Sequence, residues 1–498
     1  MANTSTTTTT KLTFSPYQEA IFDFIKTGKG NAVVNAVAGA GKTFTITNAL
    51  SMIPKDKSVL FIAFNKHIKE ELAAKVKKLG ITNVDVKTVH SYGAGALWFN
   101  FKSKMDVDKS WKVIDMLFPT WKIDKDVQKG YVGRVKRLVE LAKLTLAETP
   151  EELYNIALRH DIELLNGEVT HAIQVKELTD KNTRSHDFND MLYFPVKHNL
   201  KCRQYDWVFV DECQDLSTCA QELMKKAIKK NGRFVAVGDP HQCIYGFAGA
   251  DVNSFNKLTG LPNTVTLPLS MTYRCAKAIT EKAQTLVPHI ECLPDAEDGL
   301  VRYDGKLEEI QEGDLILSRV NRPLVTLCLQ MLGEGKKAFV KGRDIGVNLA
   351  NMLKKTGQQD FAKAMERIEM LRQRMIEKQI KHGSTREEAE DSVVVQTYNE
   401  KLGALDALGE GLISTQSVVD RIYEIFADDK EGIILSTVHK AKGLEADKVM
   451  IVEPSKMPAP WVKQKWEMDQ ELNIQYVAYT RAKRELVIIQ ESEFKTYD

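Results

Sequence analysis

The sequence predicts an α/β chain of several domains, built on parallel strands that carry their chemistry at the strand ends. Three observations predict it. Residues 31–43, NAVVNAVAGAGKT, run from an apolar strand into a small-residue loop that closes on lysine and threonine. Apolar runs recur at 58–66, 84–92, 205–215 and 233–237, and polar or acidic residues follow them, as expected of buried parallel strands. Between such runs lie long stretches of helical pattern, at 95–186 and 347–430.

A chain of 498 residues is too long for one ordinary core, so two to four domains are expected. Hydrophobic residues at 43% and charged residues at 27% describe a soluble globular protein. No apolar run approaches the ~18 residues of a membrane span, and no signal peptide is expected. Net charge is +2, from 69 Lys+Arg against 67 Asp+Glu, so a nucleic-acid partner needs basic residues placed locally. Seven cysteines without C-x-x-C spacing predict reduced thiols in a cytosolic compartment.

Residues 1–12 begin MANTSTTTTT, a polar tail expected to be disordered. Order is expected near Phe14, with Ser15 as a cap, Pro16 in the first turn and Ala20, Ile21, Phe24 and Ile25 on one helix face. Gln18 stands at the start of that helix. In isolation it reads as an exposed helical glutamine, and its position upstream of the next loop raises the alternative of a bidentate amide that reads an adenine edge. The loop Ala38-Gly39-Ala40-Gly41-Lys42-Thr43-Phe44 follows, though Ala36 stands where a phosphate loop usually opens on glycine. Its glycines let N–H groups turn inward around a phosphate chain. Lys42 can reach the β- and γ-phosphates, Thr43 can hold Mg²⁺, and a helix starting near Thr43 points its positive end at the same anion.

The strands at 58–66 and 84–92 end in Phe64-Asn65 and in Thr88, His90 and Ser91. Ligands gather outside the carboxyl ends of such strands. Phe64 suits stacking on a base, and Asn65, Thr88 and Ser91 suit phosphate oxygens. The stretch 95–186 reads as an inserted helical subdomain with a modest basic excess among Trp98, Trp111, Trp121 and Tyr131. Strand 207–210 then delivers Asp211 and Glu212, one suited to the metal's water shell and one to accepting a proton from attacking water. The run GDPHQCIYGFAGAD (238–251) places Gln242 to sense a γ-phosphate, with Tyr245 and Phe247 as loop aromatics. Downstream of a phosphate loop, the carboxylate pair implies nucleotide hydrolysis.

With these motifs in this order, the chain resembles superfamily 1 helicases of the UvrD/Rep/PcrA type. The wording of GDPHQ-x-IY-x-F and STVHKAKGLE is particularly similar to the F-box DNA helicase branch and its small phage or bacterial relatives. The resemblance covers Gln18 to Lys483. It implies two RecA-like parallel-sheet domains, each with a mostly helical insertion: 13–94 and 187–270 around 95–186, then 271–346 and 431–498 around 347–430. It implies ATP and Mg²⁺ as cofactors, with Thr43 and Asp211 on the metal side and Glu212 as catalytic base. Tyr273 resembles the residue that stacks on adenine, Arg274 and Arg481 the two arginine fingers, and Glu445, in a loop with Gly443, the ribose-binding acid. Thr437, His439 and Lys440 resemble DNA contacts, and DFND (187–190) and Arg319-Val320-Asn321 further elements flanking the DNA track.

What the resemblance implies is ATP-dependent 3′→5′ translocation on single-stranded DNA, with unwinding at duplex/single-strand junctions and no membrane partner. A cytoplasmic setting, in a bacterial or phage-infected cell, is expected. A translocase that strips proteins from DNA, or an ATP-gated single-strand-binding scaffold, is the alternative; a nuclease fusion is not expected, since about a dozen residues follow the last motif. Two departures stand out. Phe247-Ala248-Gly249 replaces an aromatic-Arg-Gly wording, and Leu472-Asn473 replaces a basic pair. Both bear on how turnover couples to movement.

Overall fold

Six parallel strands form the first sheet of the computed structural model, which describes residues 14–494 except 64, 118–124, 161, 163, 165–166, 247–248, 250, 252, 382, 429–430, 463 and 490. They are β1 (Asn31–Ala36), β2 (Val59–Ala63), β3 (Val84–Thr88), β4 (Tyr205–Val210), β5 (Ile228–Gly238) and β6 (Thr264–Leu269), in the spatial order β3-β2-β4-β5-β1-β6. β1 is interior: Val33 lies beside Ala236 on one side and Thr266 on the other. Its residues Ala32, Val33, Val34 and Ala36 are buried, as a strand covered on both faces requires. Because every pairing is parallel, the loops after β1, β2, β4 and β5 emerge along one edge.

The second sheet comprises β7 (Leu300–Gly305), β8 (Leu315–Ser318), β9 (Ala338–Lys341), β10 (Phe426–Ala427), β11 (Ile433–Thr437), β12 (Ala446–Ile451) and β13 (Ala482–Ile489). Its order is β7-β13-β12-β8-β11-β9-β10, again parallel throughout. The fold is therefore α/β with two parallel sheets, as expected. Tail residues 1–12, Trp121, Phe64, Phe247 and Ala248 lie outside the described residues.

Local chemistry explains the helices that matter for the site. α1 (Pro16–Thr27) starts at a capping box in which Ser15 and Gln18 satisfy each other's backbone N–H. α2 (Lys42–Leu50) starts at Gly41, and α3 (Lys66–Lys78) at Asn65, whose side chain accepts the Ile68 N–H at 2.9 Å. The strand expected over 84–92 ends early. Thr88 and Ser91 form a second capping box, so Val89 opens α4 (Val89–Phe101) and His90 sits in its first turn.

Between β3 and β4 the chain runs through helices with their own core, including Ile114, Val135, Leu138, Leu153 and Val175. A buried ion cluster ties them together: Asp190 accepts from Lys109 at 2.8 Å and from Lys143 at 2.7 Å, all nearly inaccessible to solvent. Between β9 and β10, the helix Phe361–Lys381 breaks, and Thr385 caps a new one with Glu388. The helix Lys465–Tyr479 serves both sheets. Ile474, Val477 and Ala478 pack in the core beneath the second, whereas Tyr476 belongs to the core of the first. Among the described residues no helix is long and apolar enough to cross a membrane.

Candidate active site

The loop after β1 is shaped by two glycines in the left-handed region, Gly39 at φ 71° and Gly41 at φ 73°. At Gly39 a side chain is excluded twice over, because a Cβ would lie 2.5 Å from Thr272 Oγ1 and 2.6 Å from Arg274 Cβ. Gly41 leaves the N-terminus of α2 without a side-chain cap, so its N–H groups are available to an anion. Lys42 reaches forward from this turn to Glu212, with 3.1 Å to each carboxylate oxygen. Thr43 is half-buried and Phe44 is exposed.

β4 delivers Asp211 and Glu212 to the same edge. Glu212 adopts φ 51°, ψ 45°, a left-handed conformation unusual for a side-chain-bearing residue, and its N–H is bonded to Asp211 Oδ1 at 3.0 Å. Gln214 Nε2 donates to Glu212 Oε2 at 2.6 Å. Burial alone pushes the Glu212 carboxyl up, but Lys42 and Lys442 outweigh it and hold it well below the usual range. Asp211 is driven the other way, by burial and by Glu212 beside it. Gln242, buried on the turn after β5, donates to Asp239 Oδ2 at 2.7 Å.

The second half of the chain closes over this edge. The Tyr273 N–H bonds the Gly39 carbonyl at 2.9 Å, and its hydroxyl donates to Gln18 Oε1 at 3.1 Å. Gln18 is buried, also accepts the Ser15 N–H, and donates to Thr45 Oγ1 at 3.0 Å. The Arg274 guanidinium rests on Glu445 at 2.7 Å and on the Thr480 carbonyl at 3.1 Å; Lys483 holds the other side of Glu445. Gly443 turns at φ 98° just before it. Arg481 is buried, bonded to the Val477 and Leu444 carbonyls and the Thr480 hydroxyl, and burial and the neighbouring Arg274 push its pKa down to about 9.

The candidate DNA contacts are less uniform. Asn65 and Thr88 spend a side-chain oxygen on capping α3 and α4, which aims both helix N-termini along the edge. His90 is exposed, 6.3 Å from the Phe188 ring. Tyr245 donates to the His439 carbonyl at 3.2 Å. Thr437 is buried at the end of β11, and Lys440 pairs with Asp344 at 2.7 Å on the surface. Burial, then Arg319, Lys440 and Lys442, hold His439 near a pKa of about 3, so it is neutral. A cavity of about 390 Å³, lined also by Leu144 and Gly249, joins His90 and Tyr245 to Asp211 and Asp215.

Three residues of this site do not stand out in the sequence. Lys442 lies two positions beyond Lys440 and crosses the cleft to Asp215 at 2.5 Å and to the Gln242 carbonyl at 2.8 Å. Tyr476 accepts the Ala38 N–H at 2.9 Å. Asn473 donates to the Cys243 and Pro240 carbonyls at 3.0 and 3.4 Å. Only the departure at 472–473 marks any of them in the sequence; the rest act across a distance that local patterns do not encode.

Residues 17–262 match the model of the UvrD/REP helicase N-terminal domain, and residues 316–493 that of the UvrD-like helicase C-terminal domain. The chain is 26% identical over 534 residues to F-box DNA helicase protein 1 of Schizosaccharomyces pombe, covering 91% of this chain and 55% of that protein. It is 27% identical to a probable DNA helicase II homolog of Mycoplasma genitalium (53% of this chain, 41% of the relative) and 25% identical to the ATP-dependent DNA helicase PcrA of Bacillus subtilis (53% and 38%). The chain thus spans about half or less of the length of these relatives. With its two parallel sheets and the phosphate loop, carboxylate pair and arginines along their facing edges, and with both domain models matched in order, the chain belongs to the UvrD-like helicase family.

Proposed function

We propose that this chain hydrolyses ATP between its two sheets and uses the cycle to move 3′→5′ along single-stranded DNA, unwinding duplex at the junction. One observation carries the reading. The loop 37–43 is approached from one side by Glu212, paired with Lys42, and from the other by Arg274, packed on Gly39. The four-part division of the chain, with insertions at 95–186 and 347–430, belongs to the same proposal.

The residues fit a triphosphate and its metal. The left-handed glycines, the uncapped start of α2 and Lys42 make an anion cradle, and Thr43 and Asp211 would hold Mg²⁺, which when bound offsets phosphate charge. Lys42 must let go of Glu212 to reach the phosphates. That exchange frees Glu212, still beside the Lys442 ammonium, to take the proton of a water molecule. Arg274 would turn from Glu445 toward the γ-phosphoryl oxygens, joined by Arg481, where developing charge is greatest. Both lone pairs of Gln18 Oε1 are taken, one by Tyr273, so an adenine read by Gln18 displaces the Tyr273 hydroxyl and frees that ring to stack. The N-termini of α3 and α4, with Tyr245 and His90, would line the strand path.

The test is ATPase activity with and without single-stranded DNA, followed by strand displacement on 3′-tailed and 5′-tailed duplexes. DNA-stimulated turnover with displacement of the 3′-tailed substrate is expected. Turnover without displacement on either substrate would favour a translocase, and absence of turnover a scaffold.

A further inference from the structure

We infer that Asn473 is a positioning residue for hydrolysis, holding the turn that carries Gln242 from across the cleft. This rests on the ATPase reading above. The turn Pro240–Gln242 is a single 3₁₀ turn that closes through one bond of its own, from the Cys243 N–H to the Pro240 carbonyl at 3.3 Å, and is too short to hold the carbonyls of Gln242 and Cys243 in the same way. The other half of the molecule supplies the rest: Lys442 donates to the Gln242 carbonyl, and the Asn473 amide donates to the Cys243 carbonyl and adds a second bond to that of Pro240. The two Asn473 bonds therefore bracket Gln242 on either side in the chain.

Asn473 does not act alone on its helix. Gln470, Asn473 and Tyr476 follow at intervals of three, along one side of the helix Lys465–Tyr479. Gln470 packs against Gly246, where a Cβ would come within 2.0 Å of its Nε2. Tyr476 accepts the Ala38 N–H in the phosphate loop. One rigid face thus touches the loop after Gln242, the turn beneath it and the phosphate loop, and the next turn of chain delivers Arg481. Any tilt of this helix as the cleft closes moves Gln242 and Arg481 together. An asparagine suits position 473 because its amide presents two N–H groups to two carbonyls, with no charge to desolvate. Leu472, the other half of the departure, points to solvent at 40% exposure and carries none of this.

Asn473→Asp keeps the shape and replaces both donors with acceptors facing carbonyls. It is expected to lower DNA-stimulated kcat by about tenfold or more, which corresponds to loss of one to two hydrogen bonds. KM for ATP and affinity for single-stranded DNA should stay within about twofold, since uniform binding is untouched. Should Asn473→Asp not fold, Asn473→Ala removes the donors without adding charge and is read by the same split. A wild-type kcat in the folded variant overturns the inference, as does a fall in kcat matched by a rise in KM or by loss of thermal stability. A wild-type chain with no DNA-stimulated ATPase removes the functional reading itself, and the inference with it.

Discussion

Lys42 and Glu212 hold each other at 3.1 Å, and the carboxylate of this pair is the one expected to take the proton. Glu212→Gln keeps shape and hydrogen bonding but cannot take a proton. ATP binding should persist while turnover falls by orders of magnitude; near-normal DNA-stimulated ATPase would remove Glu212 from its role. Arg481→Ala should abolish hydrolysis, leave nucleotide-free DNA binding intact, and also lower the melting temperature, because the guanidinium fills a buried site among the Val477 and Leu444 carbonyls. Loss of DNA binding with hydrolysis retained would place the arginine on the DNA track instead. At this scale the sequence was most legible where chemistry is local. Lys42, Asp211 and Glu212 follow directly from a strand and the loop after it. Lys442 and Tyr476 do not, since each matters only for what it meets 200 or more residues away in sequence.

Whole elements were legible when their ends were, and misread when a cap was overlooked. Strand 84–92 reads as continuous β until Thr88 and Ser91 are seen to satisfy each other, which starts α4 four residues early and moves His90 onto a helix. The insertion after β3 was legible as helical, but its attachment was not. Lys109 and Lys143 lie in separate helices, and both depend on Asp190, in a third. Asp190→Asn should leave two buried ammonium groups without their main counter-charge and cost about 3–5 kcal/mol. Chemical unfolding checks this: a cost under about 1 kcal/mol would mean that Asp187, 3.8 Å from Lys143, or solvent takes over.

For the molecule as a whole, the contacts between the two sheets decide how the cleft responds to its surroundings, and the Lys442–Asp215 pair is the most exposed to pH. Asp215 is buried on the first sheet's edge, and burial pushes its carboxyl up to about 6, with Lys442 partly offsetting the rise. An aspartate whose folded pKa lies above its unfolded value holds a proton in the folded state that the unfolded chain has lost. Its contribution to stability is full below the unfolded value and is lost as pH climbs to the folded one. In the wild type that loss is complete near neutrality. Lys442→Met removes the offsetting charge, raises the Asp215 carboxyl further and extends the loss to higher pH. The melting temperature of Lys442→Met should therefore fall more steeply than that of the wild type between about pH 6 and pH 8, a window in which Asp211, pushed up to about 7, titrates in both. Adding Asp215→Asn, which has no proton to lose, should remove the added slope and restore part of the stability, because this pair then leaves no unpaired buried charge. Parallel pH profiles for the wild type and Lys442→Met would show that Asp215 finds another counter-charge, and that the two halves are not held together by this pair.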